Sequence, residues 1–232
     1  MAVPSLLRTS ALNEQYAGVT YHIEGELVPV LHVELSTMGI YFEHHVLLWK
    51  DTTVEVGVKS LKGAFKRIFA GMPIFMTEAK GSGRIAFSRD GVGHVFGLHL
   101  QKGQSIDVRE HQFLAATDNV DYSFRRVQGA VNMLFSGSGL FIDTFTTAHD
   151  EGIVWLQGYG NVFEVTLKAG EQIDIEPGGW VYKDPTVNME TKLQRLSTGF
   201  FASAGNLVWN RFTGPGRIGI QSMYIHLAGD AT

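Results

Sequence analysis

From Gly93 the chain reads GHVFGLHLQKGQSIDV, with apolar residues at alternate positions on either side of a polar, glycine-bearing step. Alternation with a period of two buries one face of a strand, so this segment predicts two strands joined as a hairpin. The segment GNVFEVTLKAGEQIDI from Gly160 repeats it further along the chain. Phe96, Leu98, Leu100, Gly103, Ile106 and Val108 fall on Phe163, Val165, Leu167, Gly170, Ile173 and Ile175. Upstream, Leu31, Val33, Leu35, Ile40 and Phe42 hold the same apolar positions, with a shorter connection and Gly39 out of step with Gly103.

Further signals recur at the same interval. Val54, Val120 and Val187 each follow a polar turn and are almost evenly spaced. Asp, Asn, Thr and Pro at one register are turn chemistry used three times. Leu61, Ala64, Phe65, Ile68 and Phe69 then show helical spacing, as do Val127, Ala130, Val131, Leu134 and Phe135 and, imperfectly, Leu193, Leu196, Ser197, Phe200 and Phe201. They predict a short amphipathic helix per copy, with a tight loop as the alternative because glycines fall inside the windows. Each copy closes on a second hairpin, PIFMTEAKGSGRIAFS, LFIDTFTTAHDEGIVWLQ or LVWNRFTGPGRIGIQS, with Ile85, Ile153 and Ile218 as the shared anchor.

A unit that cannot bury its apolar face alone packs on its siblings. The expected fold is all-β: three tandem antiparallel units of about 66 residues packed as one pseudo-threefold β-sandwich or prism-like body. Residues 1–18 are expected to form an N-terminal tail and residues 19–232 a single triplicated domain.

Composition narrows the function classes. The 232 residues include 27 glycines and 11% aromatic residues, which suits strands and turns, and the formal net charge is -4. Nucleic-acid binders carry a basic excess, so no nucleic-acid partner is expected. There is no cysteine, hence no disulfide framework and no thiolate nucleophile. No apolar stretch reaches the roughly 20 residues of a spanning helix, and MAVPSLLRTSALNEQ has no signal-peptide core, so a cytoplasmic protein is expected.

The stretches VLHVELSTMGIYFEHHVLLWKDTTVEV, LKAGEQIDIEPGGWVYKDPTVNME and NLVWNRFTGPGRIGIQS together resemble the altered inheritance of mitochondria 24 family, nearly throughout from Tyr21 onward. The resemblance implies a fold like that of the tryptophan RNA-binding attenuation protein, related to the double-stranded β-helix. It implies no catalytic residues. Mitochondrial members are linked to inner-membrane organisation.

Candidate chemistry is sparse. His44 and His45 are adjacent, and neighbours on a strand face opposite ways, so they suit a strand entrance better than a metal site. His149, Asp150 and Glu151 sit at the second copy's hairpin tip, where a solvated turn competes with a cation site. Lys59, Lys62, Lys66 and Arg67 form a basic face that could lie on an anionic membrane, but the apolar stripe behind it is shared by all copies and reads as core. Trp49, Trp155, Trp180 and Trp209 read as packing, with Trp155 aligned on Phe87 and Ile220. Asp107 with Asp174, and Glu43 with Glu110, are repeat equivalents; Pro177 replaces the third glutamate. No catalytic, cofactor-binding or metal residues are assigned and no cofactor is expected. The expected function is a non-enzymatic structural or binding protein that forms a homo-oligomer, a trimer or ring. The alternatives are a peripheral membrane protein, a cupin-like metal-dependent enzyme and, by fold analogy alone, an RNA-binding module.

Overall fold

Periodic burial shapes the strands directly. Along Gly93–Leu100 the side chains of Phe96, Leu98 and Leu100, which share one face, are buried, while Gly97 and His99 between them on the opposite face are less so. The computed structural model describes residues 2–7, 11–59, 76–89, 91–126, 141–195 and 206–223. They begin with β1 (Ser5–Leu6), β2 (Ala11–Tyr16) and β3 (Val19–Glu24). The first unit follows with β4 (Val30–Leu35), β5 (Ile40–Glu43), β6 (Leu47–Lys50), β7 (Val54–Val58), β8 (Met76–Gly81) and β9 (Gly83–Phe87). The second holds β10 (Gly93–Leu100), β11 (Ser105–Arg109), β12 (Phe113–Thr117), β13 (Val120–Arg126), β14 (Phe141–Thr147) and β15 (Gly152–Tyr159). The third holds β16 (Val162–Leu167), β17 (Gln172–Ile175), β18 (Trp180–Lys183), β19 (Asn188–Arg195), β20 (Asn206–Thr213) and β21 (Gly216–Gln221).

One antiparallel pairing scheme serves all three units. The first strand pairs with the sixth and the sixth with the third, as β4–β9–β6, β10–β15–β12 and β16–β21–β18. The second pairs with the fifth and the fifth with the fourth, as β5–β8–β7, β11–β14–β13 and β17–β20–β19. Units are then stitched by the second strand of one and the third strand of the next, β5 with β12 and β11 with β18. Two composite sheets result, β10-β15-β12-β5-β8-β7 and β1-β16-β21-β18-β11-β14-β13.

The third strand of each unit carries the same irregularity. Its register against the sixth strand shifts between Leu47 and Trp49, between Phe113 and Ala115, and between Trp180 and Tyr182. Leu48, Leu114 and Val181 are therefore the extra residues of three equivalent β-bulges. Beyond each bulge a large side chain faces a small one: Trp49 opposite Ala86, Ala115 opposite Trp155, Tyr182 opposite Gly219. A methyl group on Gly219 would lie 2.2 Å from the Tyr182 ring, so the bulky partner dictates the small one.

Several sequence expectations meet the structure differently. Val54, Val120 and Val187 are all buried, as equivalent positions should be. The second-copy anchor is Val154 rather than Ile153, because Gly83, Gly152 and Gly216 are the residues facing Leu35, Leu100 and Leu167. Trp155 accordingly matches Ala86 and Gly219, not Phe87 and Ile220. The first two helical windows, from Leu61 and from Val127, lie outside the described residues. In the third, Leu193 belongs to strand β19 and not to a helix, since its neighbours pair with β20 along their length. The stretch 1–18, read as a tail, contributes β1 against β16 and β2 against β3. Tyr21 fastens that hairpin to the second unit by hydrogen bonds to Glu14 (2.8 Å) and His99 (2.9 Å). Among the described residues no helix is long and apolar enough to cross a membrane.

Candidate functional site

Two places gather chemistry: the seams between units and a histidine cluster on the first sheet. At the second seam Asp107 lies directly opposite Lys183, and the Lys183 ammonium donates to Asp107 Oδ2 at 2.8 Å. Both side chains are almost wholly shielded from water. Thr144 donates to the other carboxylate oxygen and Arg125 adds a second cationic hydrogen bond, each at 2.8 Å. Burial alone pushes the Asp107 carboxyl up; Lys183, through its hydrogen bond and charge, together with Thr144 and Arg125, outweighs it and holds the group below the usual carboxylate range. The first seam is fastened differently. There Arg89 donates to the Phe113 carbonyl at 2.5 Å and to Glu43 at 3.4 Å, while the buried Tyr41 hydroxyl donates to the Val120 carbonyl at 3.0 Å.

Two strands that occupy seam positions have no such neighbour among the described residues. β6 ends the sheet β2-β3-β4-β9-β6 and β17 ends the sheet β17-β20-β19. The bulge residue Leu48 on β6 is 55% exposed, whereas Leu114 and Val181 are fully buried. Lys50, in the place of Lys183, is exposed, and so is Asp174, in the place of Asp107. Asp174 is paired instead with Arg211 on β20, two contacts of 2.7 Å that lower its carboxyl's proton affinity.

The histidine cluster arises from register. His22 on β3 stands directly opposite His32 on β4, their rings stacked at 4.4 Å, and Glu24 follows His22 on the same face. One ligand atom from each of His22, Glu24 and His32 lies within 4.8 Å of the others. Burial, with the neighbouring His22, lowers the proton affinity of His32 against the opposing pull of Glu24, a shift toward the neutral imidazole form that ligates metals. Trp49 and Arg84 join these histidines in lining a cavity of about 400 Å³. The Trp49 ring centre is 5.7 Å from that of His32. This set was missed in the sequence, where its only signal is a His and a Glu two residues apart beside a His in the next strand.

The residues singled out from sequence are placed as follows. His44 and His45 lie in a 3-10 turn from His44 to Val46 rather than in a strand, both exposed, with His45 Nε2 3.4 Å from the buried Glu43. His149, Asp150 and Glu151 occupy the exposed tip between β14 and β15, and the Glu151 carbonyl accepts from Asn119. Lys62, Lys66 and Arg67 lie outside the described residues; Lys59 is ion-paired with Asp118 and sits 4.3 Å over the Tyr41 ring. Trp155 and Trp180 are core residues, Trp209 donates to Gln194, and Trp49 alone of the four borders the cavity. Register makes Arg109, not Glu110, the equivalent of Glu43, since Glu43 faces Met76 and Arg109 faces Ile142; Glu110 lies 3.8 Å from His111, and Glu43 lies against both Arg89 and His45.

Comparison with known proteins adds kinship. An uncharacterized protein of Streptococcus pyogenes serotype M6 is 26% identical over 211 residues, 84% of this chain and 82% of that one. The crystal structure of another Streptococcus pyogenes protein matches with a TM-score of 0.67 at 22% identity, over 89% of this chain and 94% of the other, and shares the all-β fold. Residues 21–223 match the family model described as Mitochondrial biogenesis AIM24. With that match spanning most of its length, the chain belongs to the AIM24 family.

Proposed function

We propose that this chain is a non-enzymatic structural module of the cytoplasm that acts by self-association. The observation that carries the reading is the pair of open strand edges, β6 and β17, in a body whose other seam strands are paired on both sides among the described residues. An open edge presents backbone donors and acceptors to any strand that fits, and β6 adds the exposed Leu48 and Trp49 to them. A multiple of the single-chain mass by light scattering at micromolar concentration is the expected result. A monomer alone sinks the reading. A peripheral membrane role finds less support, because Lys59 is already engaged by Asp118. The net charge of -4 argues against RNA.

A second reading, a metal-dependent activity, is favoured by the His22, Glu24 and His32 arrangement. It predicts one zinc or copper equivalent per chain by calorimetry, lost in His32→Ala; no binding by the unaltered chain removes it.

A further inference from the structure

We propose that β17 of one copy pairs antiparallel with β6 of a second copy, in the register that the two internal seams already use, with Asp174 opposite Lys50. The proposal rests on the self-association reading and gives it a partner, a surface and a register.

The register follows from the pairing of each strand inside its own unit. On the second strands, Tyr41, Asp107 and Asp174 are equivalent, because they face Glu78, Thr144 and Arg211 at matching positions of the fifth strands. On the third strands, Lys50, Ala116 and Lys183 are equivalent, because they face Ile85, Val154 and Ile218 just beyond the bulge. At the first seam Tyr41 meets Ala116 and Phe42 meets Ala115; at the second Asp107 meets Lys183 and Val108 meets Tyr182. Carried to the open edges, the same register brings Asp174 to Lys50 and Ile175 to Trp49. The second seam's acid and base recur with the same residue types and the same sense, an aspartate on the second strand and a lysine on the third.

Strand order agrees. The sealed sheets contain β10-β15-β12-β5-β8-β7 and β16-β21-β18-β11-β14-β13. Joining the two open sheets gives β4-β9-β6-β17-β20-β19, the same sequence of positions, with β2 and β3 added outside β4. The lysine environment agrees in part. Lys183 reaches the carbonyl of Asp184, the next residue, at 3.4 Å, and Lys50 that of Asp51 at 3.5 Å; the shorter bond of Lys183 goes to Asp107, and that of Lys50, whose strand has no such neighbour among the described residues, to the Val54 carbonyl at 2.9 Å. Burial differs as an absent neighbour dictates: Leu48 and Lys50 are exposed, while Leu114, Val181 and Lys183 are buried.

The test uses the full chain and two exposed substitutions, Lys50→Glu and Asp174→Lys, in sedimentation at a series of concentrations. Each substitution places like charges at the joint and should weaken association about 30-fold or more, as loss of a buried charge pair does. Mixing the two variants restores opposite charges at every contact between unlike copies, and association should return to nearly the parental strength. Unchanged association in both single variants overturns this joint while leaving self-association standing. Weakened variants that fail to recover on mixing overturn it too, and Asp174→Asn with Lys50→Met then separates a folding defect from a lost contact through the melting curve. A parent that stays at the mass of one chain defeats the joint and the broader reading together.

Discussion

Asp107 and Asp174 occupy equivalent positions on equivalent strands, yet one is buried against a lysine and the other is exposed. The difference lies in the neighbour, since β11 is covered by β18 and β17 by nothing among the described residues. Where the neighbour is present, desolvation of two charges is offset by short contacts from Lys183, Arg125 and Thr144. Where it is missing, Asp174 turns to Arg211 within its own sheet, an exposed pair worth little to stability. Identical residue types thus support the fold at one seam and remain available at the other.

The sharpest way to break this comparison is Asp107→Ala. It strands the Lys183 ammonium in the core and should cost about 3 to 5 kcal/mol in denaturant unfolding. Asp174→Ala should leave the unfolding midpoint of the unassembled chain nearly unmoved. Next, Leu114→Ala should cost about 2 to 5 kcal/mol, because it empties a buried bulge position. Leu48→Ala, at the exposed equivalent, should lower association and spare the fold. Gly219→Ala comes third, at about 1 to 3 kcal/mol, by forcing the Tyr182 ring aside.

Acid gives the smallest effect. The folded-state carboxyl of Asp107 is held below its unfolded value, so its contribution is complete above about pH 4 and is lost as pH falls through the folded-state value. Melting midpoints of Asp107→Asn should therefore decline less than the parent's between pH 5 and pH 3. Equal slopes would remove Asp107 from the account of acid sensitivity.

Much of the strand pattern was legible in the chain. Alternation at Leu31, Phe96 and Phe163, and the valines at 54, 120 and 187, mark positions whose neighbours are local, so a period of two suffices to find them. The third strands were harder to place, since the extra residues Leu48, Leu114 and Val181 interrupt alternation. The second-copy hairpin slipped by one because its tip, 148–151, is longer than the Ser82 turn of the first copy. The Asp107 and Lys183 pair spans 76 residues and depends on seam register, which no local pattern carries. The histidine cluster was hidden for the same reason: His22 and His32 meet only because β3 and β4 pair with His opposite His.

The recurring bulge bears on how an assembly would end. One extra residue on each third strand adds local twist where every unit meets the next, so the angle between neighbours is written into Leu48, Leu114 and Val181. Head-to-tail contacts close when that angle divides a full circle and otherwise wind on as a helix. Stoichiometry would then be a matter of curvature, decided by a single backbone kink used over and over.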